Sequence, residues 1–411
     1  MPDMERSERA GLVLRPFRGV RYTADDLSAL TSPPYDLISP AEARRLADAH
    51  PNNVVRLILP GAGHYTEARD TLAAWLSEGI LAADEQPALY VYEQSGPTFV
   101  QRGLIGAVGV GSDAVLPHEN VMPGPVADRL ALMRTTEANL EPIFLLYAGD
   151  GPATALVEET ASTRPPLVDV QLSEHTRHRL WAITDPGALD KIATDLADHR
   201  AMIADGHHRY ATYRELQAEH DEPGPWDGGL AYLVDSTAYP PDLKAIHRVI
   251  PDLPLSEAVA RAKGAWQVHD HPNLDEALAA LATAEDPAYV VTAGQTAHLL
   301  TNPDPLQLNL AMPKDRSARW RSLATAVLNE FLLPKVWGID DDEEHVQIVH
   351  HDHTAAAHQA GRSNGTAVLM RPLNAADVFA VAEEGERVPR KSTSFSPKPA
   401  TGLVLRTFAT G

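Results

Sequence analysis

The sequence predicts an α/β (α+β) protein with mixed sheets and flanking helices. Strand-like and helix-like segments alternate along the chain, and 44% hydrophobic with 22% charged residues is typical of a folded protein. The 411 residues suffice for more than one hydrophobic core. We expect an N-terminal and central α/β region over 1–250 and a C-terminal α/β region over 251–411.

The elements of the first region can be assigned in chain order. "LVLRPFRGVRYT" is extended, and a turn at "TSPPYD" precedes a helix in which Ser39 is the N-cap and Pro40 the first residue. "EARDTLAAWLSEGIL" has helical spacing, whereas "PALYVYEQS" and "RGLIGAVGV" are typical of two paired strands. "VLPHENVMPGPVADRLALMRTTEANLEPIFLLYAG" then predicts a strand end, a loop, a helix and a strand.

Composition excludes several kinds of site and partner. Because cysteine is absent, disulfides, thiolate nucleophiles and cysteine-ligated metals are excluded. The formal net charge of -21 opposes binding to a nucleic-acid duplex, which needs a basic face. "MPDMERSERA" lacks the apolar stretch of a signal peptide, and no run approaches the roughly 20 apolar residues that span a bilayer. We therefore expect a cytoplasmic protein without nucleic-acid or membrane partners.

The segment "MIADGHHRY", 202–210, is the most unusual in the chain. The strand-like "AMIA" precedes it and the helical pattern "RYATYRELQAEH" follows, so it predicts a strand, a tight turn and a helix N-terminus. Gly206 allows the sharp turn, and the amides and dipole at a helix start favour anions. His207, His208 and Arg209 add donors, and Arg209 is the strongest phosphate candidate because a guanidinium can bind two oxygens.

The sequence is compatible with more than one role for Asp205. Its carboxylate could hold a magnesium ion or fix a histidine tautomer. The alternative is the N-cap of the following helix.

The histidines of the chain suggest an alternative function, that of a metal-dependent hydrolase. Adjacent His207 and His208 fit zinc ligation poorly, since helical sites place their histidines four residues apart. "HVQIVHHDH", 345–353, lacks a pattern for a third ligand and is better explained as a solvated strand end or turn.

A second anion site is predicted near the end of the chain. "EEGERVPRKSTSFSPKPATGL" concentrates positive charge and hydroxyl groups in a lysine-poor sequence, and "TGLVLRTF" after it is a credible strand. A solvated linker is the alternative. In "AIHRVI", a surface strand pair is as good an explanation as anion binding. The candidate phosphate contacts from these two segments are His247, Arg248, Lys391, Ser392, Thr393 and Lys398.

Six motifs follow one another along the chain: "SPPYDLIS" (32–39), "LPHENV" (116–121), "TEANLEPIF" (136–144), "IADGHHRY" (203–210), "AIHRVI" (245–250) and "VPRKSTSFSPKPATGLV" (388–404). In this order they resemble the bacterial and archaeal family catalogued as domain of unknown function 1015, and the resemblance covers nearly the whole chain.

"PHE" and "DGHHR" are in turn similar to the active-site kernel of archaeal free serine kinases. These belong to the ParB and sulfiredoxin-like group of nucleotide-binding proteins, so the resemblance implies such a kernel with additional domains. It implies that Glu119 is the base acting on a serine hydroxyl and that the "DGHHR" turn holds nucleotide phosphates. His118 would contact a phosphate or tune the base. Without the resemblance, Glu119 is more simply an exposed loop carboxylate.

The favoured function is thus a small-molecule kinase. ATP or ADP would donate phosphate, with Mg²⁺ as cofactor at Asp205, to the hydroxyl of free L-serine or a similar metabolite. Asp205 joins Glu119 and His118 in the catalytic set, and Gly206 joins the phosphate-binding set. The alternatives are a nucleotide-dependent switch without an acceptor, and a metal-dependent hydrolase. A homodimer is the assembly to test.

Overall fold

The structure of the chain is a computed structural model that describes residues 11–173, 175–294 and 296–411. Contacts group the chain into two compact units. The first comprises residues up to Pro240 together with Pro397–Gly411, and the second is Pro241–Ser396. This grouping differs from the division expected after residue 250, because the C-terminal segment (397–411) packs with the first unit.

The secondary structure of the first unit alternates strands and helices. Its strands are β1 Leu14–Arg15, β2 Val20–Tyr22, β3 Leu81–Ala83, β4 Leu89–Gly96, β5 Phe99–Gly109, β6 Val115–Leu116, β7 Ala138–Asn139, β8 Ile143–Tyr147, β9 Val168–Ser173, β10 Thr176–Ile183, β11 Ala201–Asp205 and β12 Gly228–Asp235. Its helices are α1 Pro40–Ala49, α2 Val55–Ile58, α3 Tyr65–Ser77, α4 Pro123–Thr136, α5 Pro152–Thr163, α6 Pro186–Leu196 and α7 His207–Ala218, with 3₁₀ turns at Tyr35–Leu37 and Pro225–Asp227.

A mixed sheet is the centre of the first unit. Over the described residues its strand order is β6-β11-β8-β12-β5-β4-β10-β9, and β1 also pairs with β5. The pairs β6/β11 and β8/β12 are parallel, and the others are antiparallel. The prediction of a mixed sheet with flanking helices is confirmed.

Local sequence signals account for several of these elements. The amide of Glu42 donates to the Ser39 hydroxyl at 3.2 Å, and Pro40 opens α1, as predicted. The predicted strand pair is the β4/β5 hairpin, in which Gly96 lies opposite Phe99. Much of β4 and β5 is buried, and their side chains join a core with residues of α4 to α7, among them Leu130, Val157 and Ile192.

The C-terminal segment returns to the first unit through backbone pairing. Its strand, β21 Arg406–Thr407, pairs with β7, and Ser32 and Thr401 form a bridge. The buried Arg406 guanidinium donates to Asn139 Oδ1 at 3.0 Å and to the Gly228 carbonyl at 2.9 Å. The predicted strand in "TGLVLRTF" is therefore formed at Arg406–Thr407.

The second unit has an antiparallel sheet of its own. Its strands are β13 Asp242–Leu243, β14 Ile246–Ile250, β15 Gln267–His271, β16 Tyr289–Thr292, β17 Ala297–Thr301, β18 Gln347–His350, β19 Thr366–Leu369 and β20 Phe395–Ser396. Its helices are α8 Leu255–Ala262, α9 Leu274–Thr283, α10 Pro305–Ala311, α11 Ala318–Ser322, α12 Ala324–Val327, α13 His353–Arg362 and α14 Ala375–Glu383, with a π-helical segment at Leu328–Trp337.

The main sheet of the second unit has the order β15-β17-β16-β19-β14-β18, and β13 pairs with β20 separately. Alanines of α9 and α13 pack on its strands around Val249, Val290 and Leu369. Within the described parts of the chain, no helix has the length and apolarity required to cross a bilayer.

Tyr92 on β4 connects the sheet of the first unit to the C-terminal segment. Its hydroxyl accepts from the Ala400 amide at 3.1 Å and lies 2.7 Å from His178 Nδ1. The His178 ring stacks on Tyr92, and burial lowers the pKa of His178 to about 4. The folded protein therefore favours the neutral form of the His178 ring.

This histidine predicts a pH-dependent stability. The unfolded chain binds the proton at a pKa of about 6.5, so between pH 4 and 6.5 the unfolded state holds more protons and stability rises with pH. On lowering the pH from 7 to 5, His178 should account for a loss of about 2 kcal/mol in the free energy of unfolding. His178→Asn should reduce the loss measured by urea unfolding by that amount.

Tyr92→Phe is the control for the cause of the shift. Because burial lowers the pKa, this variant should keep the pH dependence of the wild type even if its stability is lower at every pH. An unchanged pH dependence in His178→Asn would contradict the assignment.

Candidate functional site

The DGHHR turn (205–209) joins a strand to a helix, as predicted. β11 ends at Asp205, and α7 begins at His207. Gly206 has φ 95°, and a Cβ there would lie 2.9 Å from Ile143 Cγ2 and 3.2 Å from Arg209 Nε. The turn therefore requires glycine both for its left-handed backbone and for its close packing. The N-cap of α7 is Gly206, so Asp205 is not the cap residue.

The sheet brings the PHE loop (117–122) to this turn. β6 and β11 are parallel neighbours, with Ala201 beside Val115 and Met202 beside Leu116. Both chains therefore leave the sheet in the same direction. This topology places together two motifs that are far apart in the sequence.

Two histidines of the turn bind the backbone of the PHE loop. The His118 amide donates to His207 Nε2 at 3.3 Å, and the Met122 amide donates to His208 Nε2 at 3.1 Å. Each neutral ring thus carries its proton on Nδ1. The His118 and His207 rings meet edge to face at 4.5 Å between centroids.

Glu119 lies in the loop between the two amides that bind the turn. His118 is fully buried, whereas Glu119 is half-buried. The predicted base and the predicted phosphate-binding turn therefore belong to one local structure.

Asp205 is held between two cations. Its Oδ1 lies 2.5 Å from Lys398 Nζ, and its Oδ2 accepts from Arg209 at 2.8 Å. The register of β11 against β8 shifts between Ile203 and Asp205, which redirects the strand end just before the turn. Lys398, from the predicted C-terminal anion site, is thus in contact with the DGHHR turn.

Arg209 is more enclosed than the sequence led us to expect. It is 5% exposed, and its other terminal nitrogen donates to the Pro142 carbonyl at 2.7 Å. Burial disfavours its charge, but Glu141 and Asp205 outweigh burial and raise the pKa of Arg209. The guanidinium is therefore charged and directed toward the protein, so direct contact with a phosphate stays a prediction.

The "SPPYDLIS" motif adds Asp36 and Tyr35 to the site. Asp36 Oδ2 accepts from Lys398 Nζ at 2.6 Å. Burial opposes ionisation of Asp36, but Lys398 and Arg209 outweigh burial and lower its pKa. Burial likewise opposes the charge on Lys398, and the carboxylates of Asp205 and Asp36 raise its pKa. The Tyr35 ring lies 5.7 Å below the Arg209 guanidinium carbon.

The "TEANLEPIF" motif adds Glu141 behind these groups. Its Oε1 accepts from the Tyr35 amide at 3.0 Å and from the Thr401 hydroxyl at 3.2 Å. Burial raises the pKa of Glu141. Our sequence reasoning did not assign Tyr35, Asp36 or Glu141 to the site, although all three lie in the motifs that carry the family resemblance.

The remaining predicted phosphate contacts lie in the second unit. The fully buried Arg248 donates to the carbonyls of Ile246 and Lys391, at 3.2 and 3.0 Å. The Ser392 hydroxyl donates to the Pro389 carbonyl at 2.6 Å. These contacts give Arg248 and Ser392 a structural role within their unit, and their binding of phosphate stays a prediction.

His247, Lys391 and Thr393 also belong to the second unit. Burial lowers the pKa of His247 to about 4, and its Nδ1 accepts from the Met370 amide at 3.3 Å. Lys391 is exposed and Thr393 is half-buried. Their assignment to phosphate is likewise still a prediction.

The described residues contain no group of three or more His, Cys, Asp or Glu side chains placed to hold a metal ion. "HVQIVHHDH" contains β18, a left-handed residue at His351 and the N-cap Asp352 of α13. The interpretation of this segment as a strand end and turn agrees with these elements.

Comparisons with known proteins identify a family. The profile of a family described as "Protein of unknown function (DUF1015)" matches residues 14–326. No curated protein matches the chain.

Several solved structures show a weak likeness. SbnI with a C-terminal truncation, from Staphylococcus aureus, is 12% identical with a TM-score of 0.36, covering 74% of this chain and 81% of its own. A free serine kinase in complex with AMP is 13% identical with a TM-score of 0.35, covering 69% and 84%. A conserved hypothetical protein from Pyrococcus furiosus is 12% identical with a TM-score of 0.33, covering 69% and 87%.

The geometry of the turn predicts that adding a methyl group at Gly206 lowers the stability of the protein. Gly206→Ala places a side chain at φ 95° and against Ile143, so it should lower the free energy of unfolding by about 1 to 3 kcal/mol, measured in urea. Gly124→Ala, at the start of α4 where a Cβ meets nothing within 4 Å, is the matched control and should be neutral or stabilising. Equal stability of both variants would count against a strained turn.

Proposed function

The chain belongs to the DUF1015 family, and we propose that it is a small-molecule kinase. It transfers phosphate from ATP or ADP to the hydroxyl of free L-serine or a similar metabolite. The kernel that carries this reaction is ParB/sulfiredoxin-like, as the resemblance of "PHE" and "DGHHR" implies.

One observation carries the proposal. The PHE loop and the DGHHR turn, distant in the sequence, are joined by hydrogen bonds from the His118 and Met122 amides to the two histidines of the turn. A phosphoryl-transfer site needs a phosphate cradle and a group that orients the nucleophile next to it. We infer that the turn is the cradle and that Glu119 in the adjoining loop is the orienting group.

The phosphate cradle consists of Gly206, His207 and His208 at the start of α7. The positive end of the helix dipole and the first backbone amides favour an anion. Lys398 and Arg209 compensate the charge of Asp205 at the start of this turn, so that its carboxylate does not repel the anion. Arg209 acts chiefly as a positioning residue in this arrangement, because its terminal nitrogens donate to Asp205 and Pro142.

Glu119 is the proposed base. As the acceptor hydroxyl attacks the terminal phosphorus, its proton passes to the Glu119 carboxylate. The bond between that phosphorus and the bridging oxygen of the nucleotide breaks, and the shortened nucleotide leaves. His118, buried beside Glu119, fixes the loop through its amide.

A magnesium ion at Asp205 does not fit the residues as they are arranged. Mg²⁺ prefers octahedral oxygen ligands, usually one or two carboxylates with water and phosphate. Both Asp205 oxygens already contact cationic groups, Lys398 and Arg209. The steps above therefore use no metal bound to this carboxylate.

The kinase is tested by incubating the protein with ATP or ADP, magnesium and a pool of hydroxyl metabolites, and searching for a phosphorylated product by mass spectrometry. Phosphoserine is the expected product. Nucleotide binding or hydrolysis without any phosphorylated acceptor would instead favour the nucleotide-dependent switch.

The variant Glu119→Gln distinguishes the kinase from the nucleotide-dependent switch. The amide keeps the shape of the side chain and removes the base, so turnover should fall by roughly 10² to 10⁴ while nucleotide affinity changes little. Product formation and nucleotide binding by calorimetry measure the two effects. Glu159→Gln, an exposed carboxylate on α5, is the control and should retain full turnover.

The opposite pattern would reassign the residue. Weakened nucleotide binding with unchanged turnover would give Glu119 a structural or binding role and remove the base from the proposal.

A further inference from the structure

Lys398 occupies an unusual position for a lysine. Its ammonium lies 2.5 Å from Asp205 Oδ1 and 2.6 Å from Asp36 Oδ2, so two carboxylates from distant segments converge on one nitrogen. The side chains of Lys398 and Asp205 are 16% and 12% exposed, and that of Asp36 is 37% exposed. This is an enclosed ion cluster with one open side, at Asp36.

The charges of the four groups in direct contact, Asp36, Asp205, Lys398 and Arg209, match one another. Asp36 and Asp205 contribute two negative charges, and Lys398 and Arg209 contribute two positive charges. Two carboxylates that share one cation repel each other strongly once that cation is removed. The same pair of oxygens, freed of the ammonium, is a ligand set of the kind that hard divalent cations take.

The backbone holds Lys398 in this position. The Ser32 amide donates to the Thr401 carbonyl at 3.1 Å, and the Thr401 amide donates to the Ser32 carbonyl at 2.9 Å. The Ala400 amide donates to the Tyr92 hydroxyl. Ser32 and Asp36 belong to one motif, so the segment that carries the lysine is paired with the segment that carries one of its carboxylates. Lys398 is thereby preorganised.

We propose that Lys398 is the built-in cation of the site: its ammonium takes the position that a divalent metal ion would occupy between Asp36 and Asp205. Lys398 is a positioning residue, which holds Asp205 at the start of the DGHHR turn. It follows, on the basis of the proposed function, that the turn binds a nucleotide without a metal ion at Asp205.

The first test uses Mn²⁺ alone, followed by electron paramagnetic resonance, with no nucleotide present. Wild-type protein should show no saturable Mn²⁺ site that depends on Asp205. Lys398→Met should gain such a site, with affinity at least about tenfold above any wild-type binding. Lys398→Met with Asp205→Asn should lose the site again.

Two variants serve as controls for charge and for the substitution. Lys398→Arg keeps the positive charge and should behave as the wild type does. Lys191→Met, an exposed lysine on α6, makes the same substitution elsewhere in the first unit and should gain nothing. A folded Lys398→Met that gains no Mn²⁺ site overturns the proposal. The proposal is also overturned if the wild-type protein binds Mn²⁺ and Asp205→Asn abolishes that binding. This second outcome can be measured even if Lys398→Met fails to fold.

The second test measures nucleotide affinity with excess EDTA and with Mg²⁺. The wild-type Kd should differ by less than about threefold between the two conditions, and Lys398→Met should raise the Kd about tenfold, with Lys398→Arg closer to wild type. A wild-type Kd that rises about a hundredfold in EDTA, with the rise absent in Asp205→Asn, would overturn the proposal. If no nucleotide binds at all, the proposed function fails, whereas the Mn²⁺ titration still decides the role of Lys398.

Discussion

The site depends on the placement of Asp205 between Lys398 and Arg209. A carboxylate that is only 12% exposed is costly unless cations compensate its charge, and here each oxygen has one. Arg209 is in turn fixed by the Pro142 carbonyl, and Lys398 by Asp36. Removing any member leaves a charge without compensation, so the turn, the "SPPYD" segment and the C-terminal segment are held as one arrangement.

Sheet topology explains why motifs scattered along the chain meet there. β11 has β6 on one side and β8 on the other, so the PHE loop and the "LEPIF" segment both border the DGHHR turn. The bridge between Ser32 and Thr401 adds the first and last motifs of the first unit. Strand order and pairing are enough to bring these motifs together, because each motif lies at the end of a strand or on a paired segment.

Sequence reasoning succeeded where the signal is local. The Ser39 cap, the β4/β5 pair and the strand, turn and helix around Gly206 follow from patterns a few residues long. It did not identify Asp36 or Glu141, since their partners Lys398 and Thr401 lie 362 and 260 positions away. It overestimated the freedom of Arg209 because a residue type reveals its donors but not their burial. The sequence predicted a strand in "TGLVLRTF" but did not reveal that this strand pairs with β7 of the first unit.

Charge balance within the cluster also constrains how a phosphate can bind. Asp36 and Asp205 already compensate Lys398 and Arg209, so a bound phosphate needs positive potential from elsewhere. Under the proposed function, the start of α7 supplies this potential through the helix dipole and amides. Because Nε2 of His207 and of His208 accepts from the PHE loop, protonating those nitrogens would break the contacts that hold Glu119 in place. The geometry therefore favours neutral histidines, and under the proposed function it ties phosphate binding to the position of the proposed base.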